Sequence, residues 1–420
     1  MKNKSVLMLL LVLILTVTLT GCGKNNASEN AKVEKKDKVI LRFATWDTGE
    51  LLKIQQDIAK KFEEKHPDVK VQVEAYGDGF DQKLVASFGA KNPPDIMYMW
   101  DFPTYHQSLL PLDDYIKSDK DININDFYLG LLNYMKVNSV LYGLPAGFTT
   151  HVIYYNKKLF DDAKVSYPEE GWTWQDFIEK AKMLSNPTKK QFGFGVRATP
   201  DPYDFEQFLW SNGTSYISPD GKKIDGYMNS EEAVEAIKMF VDMVKNSNAV
   251  LVGGENQQSG DDIFKAGKIA MWESGIWPME GFKEAKIDFG IVGLPAFPGK
   301  PVKSVVNVSA VSIAKDTKNK DLAWEFLKFY TSEEAILMRK GDFPVRKSVV
   351  EKTNFDQDPM IKPFYDMLEG ADKTPAFLLN PKWNEIQKNL SAALEASFSE
   401  LGNVKQLLDK AVKDSQTYLE

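Results

Sequence analysis

Between residues 39 and 100 the apolar pattern of this chain alternates between the periods of a strand and of a helix. That alternation constrains the fold more than any other feature. Residues 39–45 (VILRFAT) form a short apolar run that reads as a buried strand. Over residues 51–65, Leu51, Ile54, Ile58 and Phe62 share one helical face, and Pro67 stops the helix. Residues 69–75 (VKVQVEA) alternate with period two, as a strand does. Residues 80–90 read as a second helix, and 95–100 (DIMYMW) as a short apolar strand. Strands interleaved with helices in this way imply an α/β fold, with a parallel sheet flanked by helices.

Similar units follow. Strands are expected at 152–155, 192–196, 269–272, 287–292 and 309–314. Helices are expected at 156–162, 175–184, 203–211, 230–246, 261–266 and 318–330, with 382–419 helical to the end and Thr173 as an N-cap. The body from about Lys38 to Glu420 is 420 less 37, or 383 residues, too many for one ordinary core. Two domains are expected.

The start of the chain reads as an export signal. Met1-Lys2-Asn3-Lys4 is a basic segment, and 6–19 is an apolar run broken only by Thr16 and Thr18. That run is shorter than the roughly 18 residues of a membrane span. Leu19-Thr20-Gly21 then precedes Cys22, the only cysteine. A small residue followed directly by cysteine resembles the lipobox of bacterial lipoproteins. The resemblance implies that 1–21 is removed and that Cys22 carries a diacylglyceryl anchor, each buried CH₂ contributing about 0.8 kcal/mol of membrane affinity. Residues 23–37 (GKNNASENAKVEKKD) hold one Val and no other large apolar residue, the composition of a disordered tether.

Charge and composition exclude several functions. The formal net charge is −7, and loss of Lys2 and Lys4 leaves about −9, which argues against a nucleic-acid partner. With its one cysteine lipidated, the body has no disulfide and no thiolate metal site. His66, His106 and His151 lie far apart with no ligand spacing, so no metal or cofactor is expected. Nine Trp, 16 Tyr and 25 Phe supply many flat rings, which suit a ligand with apolar faces.

Four segments carry a resemblance over almost the whole body. The first is IAKKFEEKHP (58–67) with PPDI (93–96), and the second YGLP (142–145) with IYYNK (153–157). The third is GWTW (171–174) with Phe177. The fourth and most specific is AMWESGIW (270–277), continued by FGIVGLP (289–295) and AWEFL (323–327). In this order they resemble the type 1 extracellular solute-binding proteins, the sugar-binding lipoproteins of ABC importers, which include maltodextrin binders. The resemblance implies a two-lobed, type II periplasmic-binding-protein fold with the ligand in a cleft between α/β lobes. One lobe is expected at 38–148 plus 305–343, the other at 152–303 plus 344–420. It also implies a non-enzymatic monomer on the extracytoplasmic face of the membrane. Its expected ligand is a carbohydrate, specifically an oligosaccharide, delivered to ABC permease subunits.

In α/β sheets ligands collect at the carboxyl ends of strands, and a sugar needs flat rings and fixed polar groups there. That rule selects Trp46, Asp47 and Glu50 after the first strand, Asp101 after the third, and Glu273 and Trp277 beyond 269–272. Thr149 and Asn307 lie where the chain crosses between lobes. The resemblance to maltodextrin binders adds Tyr203, in Asp201-Pro202-Tyr203, and Trp383, and it places Trp277 under a sugar ring. Trp210 before Asn212-Gly213 is a further candidate; Trp272 is expected in the core. Trp100 and Arg346 are left open between ligand contact and structural roles. Two alternatives remain. One is the same fold with a non-sugar solute: spermidine, iron or a sugar phosphate. The other is an exported glycoside hydrolase using two of Asp47, Asp101 and Glu273 at the roughly 5–10 Å separation such catalysis needs. No hydrolase motif supports the second.

Overall fold

The computed structural model of the protein describes residues 38–254, 258–339 and 342–419. The export signal, Cys22 and the tether lie outside the described residues.

The alternating pattern forms the expected parallel core. β1 (Val39–Thr45) pairs in parallel with β2 (Val69–Ala75) on one side and β3 (Ile96–Met99) on the other. A small hairpin, β4 (Lys136–Val137) and β5 (Val140–Leu141), precedes β6 (Leu144–Thr150). After His151 the chain enters a second sheet through β7 (Val152–Asn156). That sheet is completed by β8 (Phe192–Arg197), β9 (Ala249–Val252), β10 (Ile269–Ser274) and β11 (Phe289–Val292). The chain returns to the first sheet as β12 (Val306–Ile313), antiparallel to both β3 and β6. The strand orders are β2-β1-β3-β12-β6 and β11-β7-β10-β8-β9. Each sheet, with its helices, is one lobe.

Local chemistry explains the elements. The helix Trp174–Leu184 starts at a capping box: Thr173 Oγ1 accepts from Asp176 N at 3.2 Å, and Asp176 Oδ2 accepts from Thr173 N at 2.9 Å. β12 begins three residues before the expected 309 because Val306–Val308 pairs with Thr150–Phe148. β6 escapes a propensity reading because it holds Pro145 and Gly147, which an edge strand tolerates. The expected helical end, 382–419, is two helices, Trp383–Ser399 and Val404–Ser415, which pack together. Leu401, at φ 50°, turns the chain between them. Aromatic clusters fill both lobes. Phe43 packs on Phe326 at 5.4 Å in the first, and Phe177 on Trp174 at 5.1 Å and Phe194 at 4.9 Å in the second. Trp272 is buried as expected, its indole donating to Asp261 at 2.8 Å under the Arg197 guanidinium.

The crossings are tied by a buried polar cluster. His151, the residue between β6 and β7, is fully buried. Its Nδ1 meets Glu273 Oε1 on β10, and its Nε2 lies 3.1 Å from Asn307 Oδ1 on β12. Gln207 Nε2 donates to Glu273 Oε1 at 3.0 Å, and Arg197 Nη2 to the Glu273 carbonyl at 3.0 Å. Arg197 Nη1 binds Glu273 Oε2. Asn307 Nδ2 donates to Asp204 Oδ1 at 3.3 Å. Burial opposes charge on Glu273, but His151 and Arg197 outweigh it and hold its pKa at about 2. Burial likewise opposes a charged His151, yet Glu273 and Asp204 raise its pKa.

Their contributions to stability run in opposite senses with pH. The Glu273 contribution is present above the ordinary carboxylate range and is lost as pH falls toward about 2. The His151 contribution is complete below about 6.5, the unfolded value, and is lost as pH rises through the raised folded value. Glu273→Gln should therefore cost about 3 kcal/mol near neutrality, because it leaves His151 and Arg197 without their anion. His151→Gln should abolish the alkaline loss of stability expected of the wild type. Urea midpoints measured from acid to alkaline pH check both; an unchanged alkaline slope in His151→Gln would remove the histidine from the cluster's energetics.

Candidate functional site

A cavity of about 790 Å³ lies between the lobes, within the size range of small-ligand sites. The first lobe supplies Trp46 and Asp47 after β1, Trp100 after β3, Thr149 on β6, and Asn307 and Ser309 on β12. The second lobe supplies Ile276, Trp277, Met279 and Glu280, all after β10. Carboxyl-end loops and crossing strands thus make the site, as the strand-end rule requires.

The polar floor is a closed network. Gln55 Nε2 donates to Asp47 Oδ2 at 2.7 Å and to Tyr98 Oη at 2.9 Å. The Tyr98 and Tyr330 hydroxyls meet at 2.5 Å, and Tyr330 Oη donates back to Gln55 Oε1 at 2.7 Å. Burial raises the pKa of Asp47, partly offset by hydrogen bonds from Thr45 and Gln55. Arg339 stacks over Tyr330 and donates to the carbonyls of Tyr330 at 2.7 Å and Ala146 at 3.0 Å. Its guanidinium is therefore largely committed to the protein. Asp342 lies 3.5 Å from Arg339 Nε and faces the cavity.

The rings give the site its apolar faces. Trp277 is 58% exposed and Trp100 44%, high values for indoles. Trp46 is half-buried, edge-on to Phe80 at 5.2 Å and against Tyr98 at 4.5 Å. The loop bearing Trp277 is fixed immediately before the ring. Ile276 N donates to Thr149 Oγ1 at 2.9 Å, and Tyr154 Oη donates to the Gly275 carbonyl at 2.7 Å. Gly275 is needed there: a Cβ would sit 2.7 Å from the Trp277 ring and 2.9 Å from Thr149. Trp277 also stands edge-on to His151 at 5.6 Å.

Of the residues singled out in the sequence, the structure brings Trp46, Asp47, Thr149, Trp277 and Asn307 together around this cavity. It does not bring the other six there. Glu50 is exposed on the first turn of the helix Gly49–Lys65. Asp101 caps the helix Phe102–Tyr105, accepting from Thr104 N at 3.2 Å. Tyr203 gives its hydroxyl to the Val306 carbonyl at 2.7 Å. Trp210 is buried beside a separate small void. Glu273 is bound within the crossing cluster. Trp383 is buried in the second lobe against Tyr216. Arg346, left open, is a structural ion pair with Asp126 at 3.2 Å.

Trp100, also left open, lines the cavity, with its indole 3.3 Å from Asp81 Oδ1. Gln55, Ser309, Arg339 and Asp342 were not singled out. Ser309 could have been found by period-two spacing from Asn307, and Gln55 by its place one turn beyond Leu51 on the helix after Asp47. Arg339 and Asp342 follow no pattern, because their approach to the cavity depends on how the chain leaves the helix Glu333–Met338. Among the described residues no group of three or more His, Cys, Asp or Glu could hold a metal ion. None of the described helices is long and apolar enough to cross a membrane.

Comparison with known proteins agrees with the architecture. The galactooligosaccharide-binding protein of Bacillus subtilis (strain 168) is 25% identical over 412 residues, covering 94% of this chain and 92% of that protein. An ABC substrate-binding protein of Listeria monocytogenes, solved in complex with cycloalternan, superposes with a TM-score of 0.77 at 24% identity, covering 91% of this chain and 99% of that one. The sugar-binding protein MalE of Xanthomonas citri superposes at 0.79 with 19% identity, covering 91% and 97%. Both share the type II periplasmic-binding-protein fold of two α/β lobes. The profile of the bacterial extracellular solute-binding proteins matches residues 46–336, and the chain belongs to that family.

Proposed function

We propose that the protein is the lipid-anchored, extracytoplasmic binding component of an ABC importer, and that its cleft takes a carbohydrate, specifically an oligosaccharide. The observation that carries this reading is the pair of exposed indoles, Trp100 and Trp277, contributed by opposite lobes to one cavity that also holds fixed acids and amides. A pyranose has apolar faces for such rings and hydroxyls for Asp47, Asn307 and Asp342. The relatives' ligands, galactooligosaccharide and cycloalternan, support the same chemistry. The lobes close on the ligand about the crossings at His151 and near Ser304, and the closed form engages the permease. Cys22 anchors the body to the membrane, and the protein acts as a monomer.

The non-catalytic reading fits the carboxylates. Of Asp47, Asp101 and Glu273, only Asp47 lines the cavity. Glu273 is held charged, the wrong state for a general acid.

Three outcomes are expected. A thermal-shift screen against mono- and oligosaccharides should raise the melting temperature, since ligand at 100 times Kd stabilises by about 2.7 kcal/mol; turnover of the sugar would overthrow the binding reading. Trp277→Ala should lose about tenfold in sugar affinity by calorimetry, from a quarter of a ring's 150–250 Å² at about 25 cal/mol per Å². Its ligand-free melting temperature should barely move, because the ring is already largely exposed. Metabolic labelling with an alkyne fatty acid should mark the wild type and not Cys22→Ala; equal labelling would refute the anchor.

A further inference from the structure

At one end the chain itself fills the space between the lobes. The segment 371–380 is tied to the second lobe. Ala376 N donates to the buried Glu206 carboxyl at 3.1 Å, and Asn380 Nδ2 donates to the Gly221 carbonyl at 2.7 Å. Pro375 opens the short helix Ala376–Leu379, so Phe377 projects from a fixed backbone. Its ring meets Tyr134 of the first lobe at 5.7 Å and Tyr203 of the second at 5.2 Å, both edge-on. Tyr203 is pinned in turn, donating to the Val306 carbonyl at 2.7 Å and accepting from Val306 N at 3.1 Å. Tyr134 ends the helix Leu129–Tyr134, which hugs the segment closely: a Cβ on Gly130 would lie 2.6 Å from the Ala371 carbonyl oxygen.

The void left among these residues is about 20 Å³, room for a water but not for a sugar ring. Asn307, which lines the 790 Å³ cavity, donates through its amide to Asp204, the neighbour of Tyr203, at 3.3 Å. Trp100, on the same cavity, precedes the helix Phe102–Tyr105, which packs on Ala376–Leu379 and whose Phe102 stands edge-on to Tyr134 at 6.4 Å. The aromatic contact therefore stands at the margin of the cavity. Asp101 lies in the turn between Trp100 and that helix, outside the cavity lining.

We propose that Phe377, with Tyr134 and Tyr203, is a wall that stops a bound saccharide at this end and so sets the longest chain the cleft takes whole. The proposal rests on the carbohydrate reading. The ring is borne by one lobe and met by a tyrosine of the other, so the limit is set where the two lobes meet.

The test is a ladder of maltooligosaccharides and of β-galactooligosaccharides, from the disaccharide upward, titrated by calorimetry against wild type, Phe377→Ala and Tyr134→Ala. Wild-type affinity should stop rising, or fall, beyond a definite length. Phe377→Ala should raise the ratio of long-chain to short-chain affinity by about fivefold or more, since a further ring can then be buried. Tyr134→Ala, which removes the opposite side of the wall, should shift the ratio in the same direction. A uniform loss at every length in Phe377→Ala would make the ring a stacking platform and overturn the wall. An unchanged length profile in both variants would overturn it as well. A wild type that binds neutral disaccharides but shows no length limit refutes the wall alone; one that binds no saccharide refutes the carbohydrate reading with it.

Discussion

The contact between His151 and Glu273 is the constraint on which the molecule's arrangement depends. His151 is the single residue between β6 and β7, so its backbone belongs to both lobes, and Glu273 is the penultimate residue of the central strand of the second sheet. Burying a carboxylate and an imidazolium is costly, and their attraction offsets that cost only when the remaining donors and acceptors are satisfied. Here they are, through Arg197, Gln207 and Asn307. Such a cluster adds little net stability over apolar packing. What it adds is alignment, because only one mutual placement of β7, β10 and β12 satisfies every member.

The same economy governs the cavity. Asp47, Gln55, Tyr98 and Tyr330 bond to one another in a closed circuit. Their side chains are held before any ligand arrives, so binding need not order them. Arg339 sits beneath as a structural cation, its donors given to backbone carbonyls. Asp47 and Asp342 are left as acceptors for hydroxyl groups, while the indoles supply area. On the proposed carbohydrate reading, affinity comes from ring faces, and orientation comes from the fixed acceptors.

The alternation of strand and helix periods made the first sheet legible, including β1 and β2 to the residue, because each strand had a clean pattern and a helix with a marked stop. β6 and β9 were not legible. β6 contains Pro145 and Gly147, and its place depends on pairing with a strand more than 150 residues away. β9 is only four residues long. In the site, Trp46, Asp47, Thr149, Trp277 and Asn307 were readable because they follow strand ends or occupy crossings. Trp383, taken from the resemblance and not from a strand end, lies away from the cavity. Its position at a helix start gives no face, and packing against Tyr216 turned it into the core. The Phe377 contact was illegible for another reason: it joins residues 134, 203 and 377, and no local pattern links them.

The placement of Trp277 joins the two halves of the argument. By sequence its loop belongs to the second lobe, since it leaves β10. By hydrogen bonding it belongs equally to the first, through Ile276 N and Thr149. Its ring stands edge-on to His151, at the crossing itself. In a rotation about the crossings, displacement grows with distance from the axis, so Trp277 moves least and the distant rim most. Trp100, on the first lobe beyond β3, lines the same cavity away from the crossing strands. The two indoles are thus unequal. On the proposed reading, Trp277 is a platform fixed by residues at the crossing, and Trp100 is brought to it by closure. On the proposed reading, a ligand resting on the fixed ring is engaged before closure and keeps its register as the lobes come together, so closure adds contacts without having to reposition what is already bound.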